Sequence, residues 1–469
     1  MDKYQSKYDI AVIGGGPAGS TIAHQLTQFG YKVLLLEKAA FPRPHIGLSL
    51  SAGILHWLDL LEIRDIVAAK GFVSAKESKL LWASEHIVDK NFDTDKAGWH
   101  VDRGVFDEIL MNAAVKKGVD LLQGFKQLQL QLSPEEQWDI SIKDATNKTI
   151  NIQADFLVEA SGRKPVVKNS IKKAYLTKTL ATYAYWRCNE VMCANSFIEA
   201  IPNGWVWGAP VSEYDYLMCV FSDADFIKKH ASLNQFYNKS IECASLFPAQ
   251  KYHRKDSILN TCDATAYVDS QPISKQYIRV GDAAYSLDPI ASQGVQKAIK
   301  SAFQGAIVVN TLLSQPQNEM LAINYYKQVI DIEVTKNQTW TKAFYNQHQQ
   351  FKHHSFWKTR QTFLTASEVE NETVTLKKTA KLIVNKEASI LSVPVLGATY
   401  VQEEEGIYLP TNLEPFVYVQ NKAIVPLIRK LHDHYLIDCV KMIAAYMPNT
   451  APVKVLEWLI YNKILCPKQ

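Results

Sequence analysis

The chain has 469 residues, 47% of them hydrophobic and 21% charged, and a formal net charge of +4. This length supports two or three domains around a large core. The small charge excess excludes a dominant nucleic-acid surface and a polybasic membrane anchor, and no apolar run reaches the roughly 18–20 residues of a membrane span. The seven cysteines are odd in number, show no CxxC spacing and have no histidine cluster beside them. Neither a disulfide framework nor a metal site is therefore expected, and His348, His353 and His354 lack acidic partners at ligand spacing. The opening MDKYQSKYD has no charged-then-apolar signal layout. A reducing, cytoplasmic setting is expected.

The first strong element is Tyr8 to Ile13, a short apolar run that reads as a buried parallel strand. A glycine loop follows, with Gly14, Gly16 and Gly19 in GxGxxG spacing and Ala18 inside it. Ser20 to Phe29 reads as a helix ended by Gly30, and Tyr31 to Leu36 as the next strand, leading into Glu37. This βαβ unit is built for a dinucleotide. Gly14 permits a tight turn, Gly16 lets the backbone approach a pyrophosphate, and Gly19 allows close helix–strand packing. The helix N-terminus offers N–H groups to the phosphates, and Glu37 offers a carboxylate to a ribose hydroxyl.

Farther along, Val101 to Gly118 reads as a helix carrying Arg103 and Asp107, and Asp155 to Gly162 as an apolar strand. From about 165 to 270, alternating aromatic and β-branched residues indicate a mostly antiparallel sheet in a separate layer. Tyr277 to Val280 reads as a strand, and 281–313 returns to loop and helix. The fold class is therefore α/β. A discontinuous Rossmann-type nucleotide domain (1–165 with 275–315) carries an antiparallel-sheet substrate domain (166–274). A helical segment follows (316–387), then a small helical C-terminal domain (388–469). In that last domain Glu403, Glu404 and Glu405 read as a solvated loop before apolar helical patterns at 423–446 and 452–465.

Three segments narrow the dinucleotide. They are Phe41-Pro42-Arg43-Pro44-His45-Ile46-Gly47, Val101-Asp102-Arg103-Gly104-Val105-Phe106-Asp107, and Arg279-Val280-Gly281-Asp282-Ala283-Ala284 with its continuation to Gly294 and Val295. At all three the sequence resembles the FAD-dependent aromatic monooxygenase and flavin-dependent halogenase superfamily, over roughly residues 8 to 315. The resemblance implies FAD as cofactor. Asp282, after Gly281, would accept hydrogen bonds from the ribityl and pyrophosphate region. Gly294 and Val295 would start a helix facing the pyrimidine end of the flavin, and Arg103 would help hold the diphosphate or ribose. Lys38, beside Glu37, and Arg43 complete the candidate FAD contacts. An i,i+4 pair with Asp107 is the alternative for Arg103, and a turn cap is the alternative for Asp282.

Gly204-Trp205-Val206-Trp207-Gly208-Ala209-Pro210 is similar to the halogenases' WxWxIP, with Ala209 in place of Ile. In that family the aromatic pair is thought to keep the flavin and substrate sites apart. The alternative is two tryptophans packed on one strand face. Halogenases of the pyrrole and phenol type carry GFxxKxG, whose lysine hands an activated halogen to the substrate. Here the segment is Gly71-Phe72-Val73-Ser74-Ala75-Lys76-Glu77, with Ala75 at the lysine position, and Leu48 replaces Glu in the family's HxGES. Without that lysine, the resemblance implies hydroxylation of an aromatic ring through a flavin C4a-hydroperoxide. His45, Lys76, Glu77 and Trp207 are the candidates for catalytic roles, and for the three ionisable ones surface charge or loop packing is the alternative.

One dinucleotide loop implies that electrons arrive from NAD(P)H at the same site or from a separate flavin reductase. The chain looks like the branch that hydroxylates a tryptophan side chain of a partner oxidase during tryptophylquinone biogenesis, the maturation flavoproteins of glycine or lysine oxidases. The other readings are a halogenase or hydroxylase of a free small aromatic, a flavin-dependent isoprenoid reductase, and a non-catalytic FAD-binding partner.

Overall fold

The computed structural model describes residues 4–43, 45–93, 97–190, 195–361 and 380–468. Pro44, Cys193 and the sequence-predicted helical stretch at 362–379 lie outside these residues. The chain divides into two compact units, one holding residues to 314 and 329–361, the other 315–328 and the described residues from 380 onward.

The first unit is built on a seven-stranded sheet. Lys7–Ile13 lies at its middle, parallel to Val33–Glu37 on one side and to Thr149–Glu159 on the other. Asp120–Gln123 and Tyr277–Arg279 extend the parallel part, and Gln127–Leu132 with Trp138–Lys143 adds an antiparallel hairpin. The central strands are buried on both faces, which explains their unbroken Val/Ile/Leu runs. The helices Pro17–Gln28 and Gly294–Ser314 pack against each other. The nucleotide domain is therefore assembled from separated segments.

A second, eight-stranded sheet includes Thr179–Cys188, Ser196–Ile201, Gly204–Pro210 and Asp215–Asp223. It is antiparallel except where Ser196–Ile201 runs parallel to Glu77–Leu81. Glu77–Leu81 and Val88–Asn91 reach this sheet from the segment that sequence reading gives to the nucleotide domain. A small three-stranded sheet, Ser49–Leu50, Gly98–His100 and Val73–Ala75, precedes the helix Arg103–Lys116. The helices Glu319–Asn346 and Ser355–Arg360 follow the nucleotide segments.

The second unit holds the expected small helical C-terminal region and adds strands to it. The helices Ile424–Leu431, Leu436–Tyr446 and Pro452–Tyr461 share a core with strand residues such as Leu382, Ile407 and Leu465. Glu403, Glu404 and Glu405 lie in the strand Val401–Tyr408, paired with Ser389–Leu396, and not in a loop.

Candidate functional site

The glycine loop has the geometry that its spacing predicts. Gly14 has φ of +106°, and a Cβ there would stand 2.5 Å from the Ala160 carbonyl oxygen. A Cβ on Gly19 would come within 1.8 Å of the Gly14 oxygen, so the helix can cross the strand only as glycine. At Gly16 the nearest atom to a Cβ would be Arg43 Nη2 at 3.5 Å, which leaves room beside the backbone. Gly16 caps the helix Pro17–Gln28, and neither a capping side chain nor an acidic residue occupies its first turn. The N–H groups and the positive dipole end are left for an anion.

Glu37 is buried and accepts the Gly15 N–H at 2.7 Å and the Ala39 N–H at 2.8 Å, one on each carboxylate oxygen. Each oxygen keeps a lone pair for a ribose hydroxyl. Lys38, next in the chain, is exposed. Arg43 lies between Glu37 and Asp107, at 3.9 and 3.7 Å. Its Nε is buried with no hydrogen-bond partner among the described residues. Arg103 forms the i,i+4 pair: Nε and Nη2 reach the two Asp107 oxygens at 2.8 and 2.9 Å, and Nη1 donates to the Ile46 carbonyl at 3.2 Å. Its guanidinium is thus engaged by protein, and it fixes the 41–47 segment against the helix.

The segment after Arg279 completes the hollow. Gly281 leaves space for Ala18, whose Cβ would lie 2.7 Å from a Cβ at 281. The Asp282 side chain is 34% exposed although the chain surrounds it. Its Oδ1 accepts from Lys297 Nζ at 2.7 Å, and Arg163 Nε stands 3.5 Å from Oδ2. Burial pushes the Asp282 pKa up, but Lys297 and Arg163 outweigh it and hold the carboxyl below its ordinary range. Gly294 starts the helix Gly294–Ser314 with no protein atom within 4 Å of a Cβ, and Val295 behind it is buried. A side-chain-free approach at Gly16, a surrounded but accessible carboxylate and a free helix start together fit a bound dinucleotide.

The larger sheet carries an apolar row on one face. Strand register places Leu80, Ile198, Trp207, Cys219 and Tyr183 in one row across the larger sheet. All but Cys219 are only half buried, and Ile46 from the 41–47 segment packs with the same cluster. Trp205, two residues before Trp207, is buried and stacks on Phe221 at 3.8 Å between ring centroids. Trp205 is therefore buried in the core, while Trp207, on the same strand face, stays half buried. The Trp207 ring meets His100 edge-on at 6.2 Å between centroids. His100 pairs with Val73 and Ala75 with Gly98, so His100 and Ala75 share one face of the small sheet. A side chain at Ala75 projects on the face that meets Trp207.

With this geometry in hand, the comparisons assign the family. A family model described as tryptophan halogenase matches residues 70–394, well over half of the chain. The chain belongs to the tryptophan halogenase family. It is therefore a FAD-dependent oxidoreductase. Residues 12–49 also match a model of NAD(P)-binding Rossmann-like domains. Among curated relatives, tryptophan 2-halogenase of Chondromyces crocatus is 31% identical over 69% of this chain and 65% of its own length, so the chain spans just under two thirds of that relative. A protein of Marinomonas mediterranea named as a FAD-dependent oxidoreductase, LodB, is 27% identical over 76% of this chain and 97% of its own length. Among solved structures, the flavin-dependent halogenase CmlS shares the fold with a TM-score of 0.81 at 16% identity, covering 100% of this chain and 97% of that one. The peptidyl tryptophan dihydroxylase QhpG shares it with a TM-score of 0.72 at 21% identity, covering 97% and 99%.

The other sequence candidates resolve as follows. Gly14, Gly16, Ala18, Gly19, Glu37, Arg43, Gly281, Asp282, Gly294 and Val295 come together around the glycine loop. His45 is exposed, with Nδ1 2.6 Å from the Ile46 carbonyl, and burial of its surroundings and the Arg103 charge lower its pKa. Lys76 and Glu77 are exposed where the chain leaves the small sheet for the larger one, and the Lys76 carbonyl accepts the Phe92 N–H. Neither side chain shares the His100–Ala75 face. Sequence reading missed Lys297 and His100. Lys297 sits three residues into its helix, but its partner lies 15 residues upstream, and His100 is set by strand pairing to Ser49 and Val73. Among the described residues no three His, Cys, Asp or Glu side chains come together as a metal site, and no helix is long and apolar enough to cross a membrane.

Proposed function

We propose that this enzyme functionalises a ring carbon of an electron-rich aromatic substrate and transfers oxygen rather than halogen. One observation carries the choice. Ala75 stands where the family resemblance places the halogen-carrying lysine, and it lies on the sheet face that meets Trp207. Lys76, next to it, is exposed. Bound and reduced, FAD supplies the electrons that activate dioxygen. The chain's own residues hold the cofactor through the glycine loop, Glu37, Arg43 and Asp282. They orient an aromatic ring against Trp207, Tyr183, Ile198 and Leu80, and this apolar row limits water around it. No nucleophilic side chain is required.

The names of most curated relatives favour a second reading, halogenation of a small aromatic. The near full-length match to LodB, which is not named as a halogenase, favours keeping a third, in which the ring is a tryptophan of a partner oxidase. The test is product analysis by mass spectrometry. FAD-loaded protein with a flavin reductase and NADH is offered indoles, phenols and a tryptophan-bearing partner oxidase, with and without bromide. Products that gain oxygen in the presence of bromide support oxygen transfer. A brominated product overturns it.

A further inference from the structure

Of the ten tryptophans, all among the described residues, Trp340 alone is exposed, at 47%. It lies on the helix Glu319–Asn346 one turn before Phe344 and stacks on that ring at 5.2 Å between centroids. Phe344 meets Trp82 at 4.6 Å, and Trp82 meets Tyr345 at 5.7 Å. The Trp82 N–H donates to the Phe344 carbonyl at 2.9 Å, which holds the indole between the two rings. Unbroken ring contacts therefore lead from the surface to the buried Tyr345. The Tyr345 hydroxyl donates to the buried Asp288 carboxylate, 3.3 Å from each oxygen. Burial raises the Asp288 pKa, which makes it a stronger proton acceptor than a carboxylate in water. Asp288 belongs to the chain stretch between Asp282 and Gly294.

Apolar packing explains the buried rings, but it calls neither for an indole left in water nor for a phenol paired with a buried carboxylate, which costs desolvation. Indole and phenol rings give up a single electron far more readily than phenyl or aliphatic groups, and a buried phenol needs a proton acceptor to do so. We propose that Trp340, Phe344, Trp82 and Tyr345 form a one-electron relay that carries electrons from thiol reductants in solvent to the Tyr345–Asp288 pair, where they quench oxygen-centred radicals. A hydroxyl-class radical takes one electron from Tyr345 and becomes hydroxide, while the phenol proton passes to Asp288. Trp82 returns the electron, Asp288 returns the proton, and Trp340 reduces Trp82 across the Phe344 ring. The thiol then gives Trp340 its electron and releases a proton, which turns the hydroxide into water and leaves a thiyl radical. The protective use of the relay rests on the dioxygen-activating reading above.

Pulse radiolysis of the FAD-loaded protein with azide radicals, which oxidise exposed indole rings, tests the relay. In wild type the indolyl absorption is expected to decay as a phenoxyl absorption grows, at a rate independent of protein concentration. Trp340→Phe and Tyr345→Phe are each expected to lose this coupled growth, and Asp288→Asn to slow it. A wild type without coupled growth, or growth that survives in either phenylalanine variant, overturns the relay. Trp340→Phe changes an exposed position, so this test does not depend on a core variant folding, and thermal melts check the others. The protective use is tested with NADH, a flavin reductase and a thiol but no aromatic substrate. Trp340→Phe is expected to accumulate oxidised Tyr345 and Trp82 peptides several-fold faster than wild type by mass spectrometry, and equal accumulation overturns that use. Brominated products in the preceding assay would overturn oxygen transfer alone.

Discussion

The Lys297 ammonium lies 2.7 Å from the Asp282 carboxylate, with the lysine 3% exposed and the aspartate side chain 34% exposed. Lys297 also donates to the Tyr285 carbonyl at 2.6 Å and lies over the Tyr285 ring at 4.6 Å. Burial lowers the Lys297 pKa, and Asp282 opposes that shift. The pair, with Arg163 3.5 Å from the other oxygen, holds a charged carboxylate beside the glycine loop.

Removing the lysine alone is expected to leave a surrounded, uncompensated carboxylate. Lys297→Met should weaken FAD binding by at least tenfold and lower stability by about 2–4 kcal/mol. The double variant with Asp282→Asn should recover much of the stability but not the FAD affinity. Urea titration and FAD equilibrium dialysis on the four proteins of the cycle measure both, and additive losses in stability would contradict the coupling.

The glycine loop makes separable predictions. Gly19→Ala drives a methyl into the Gly14 carbonyl, so the fold itself should be destabilised. Gly16→Val meets only the end of Arg43, so the chain should fold but bind FAD poorly, because the side chain fills the path of the pyrophosphate. Circular dichroism melts and the flavin absorbance retained after dialysis separate the two. Equal FAD retention in Gly16→Val and wild type would contradict the assignment of the hollow.

The two tryptophans should also part company. Trp205→Ala removes a buried ring stacked on Phe221 and is expected to cost about 3–5 kcal/mol. Trp207→Ala should cost far less stability while raising the KM for aromatic substrates, since its half-buried ring lies on the sheet face proposed to hold them. Thermal melts and steady-state kinetics check the pair.

Much of the nucleotide domain was legible because it is local. Lys7–Ile13, the glycine loop and Val33–Glu37 are adjacent in sequence, and burial on both strand faces writes itself as apolar runs. What depends on distant pairing was not legible. His100 gains its meaning only when Gly98–His100 is laid between Ser49–Leu50 and Val73–Ala75. Lys297 reads as an ordinary helix lysine until the turn at Gly281–Ala283 brings Asp282 to it. The strand Val401–Tyr408 was hidden because Glu403 and Glu405 are exposed and Glu404 is half buried, so no clear alternation marks it. Arg103 had two readings, and the bidentate contact to Asp107 realises the local one.

His24 and His100 set a pH dependence. Burial lowers both to a pKa of about 4, against about 6.5 when unfolded. Below pH 6.5 the unfolded chain takes up protons that the folded chain does not, so stability falls with pH. Each histidine is expected to withdraw up to about 3 kcal/mol between about pH 6.5 and 4, and neither contributes a slope above pH 7. Urea unfolding at fixed FAD saturation between pH 7.5 and 5 measures this. His24→Gln should show a shallower loss than wild type, and an unchanged slope would contradict a neutral, buried His24.

The measurement that bears most directly on the whole account is turnover under oxygen-18 dioxygen. FAD-loaded protein, a flavin reductase and NADH would be supplied with an indole or phenol in bromide-containing buffer, and the product analysed by mass spectrometry. The account predicts one labelled oxygen on a ring carbon, at a yield that bromide does not change. A brominated ring, or an oxygenated product without the label, would contradict it.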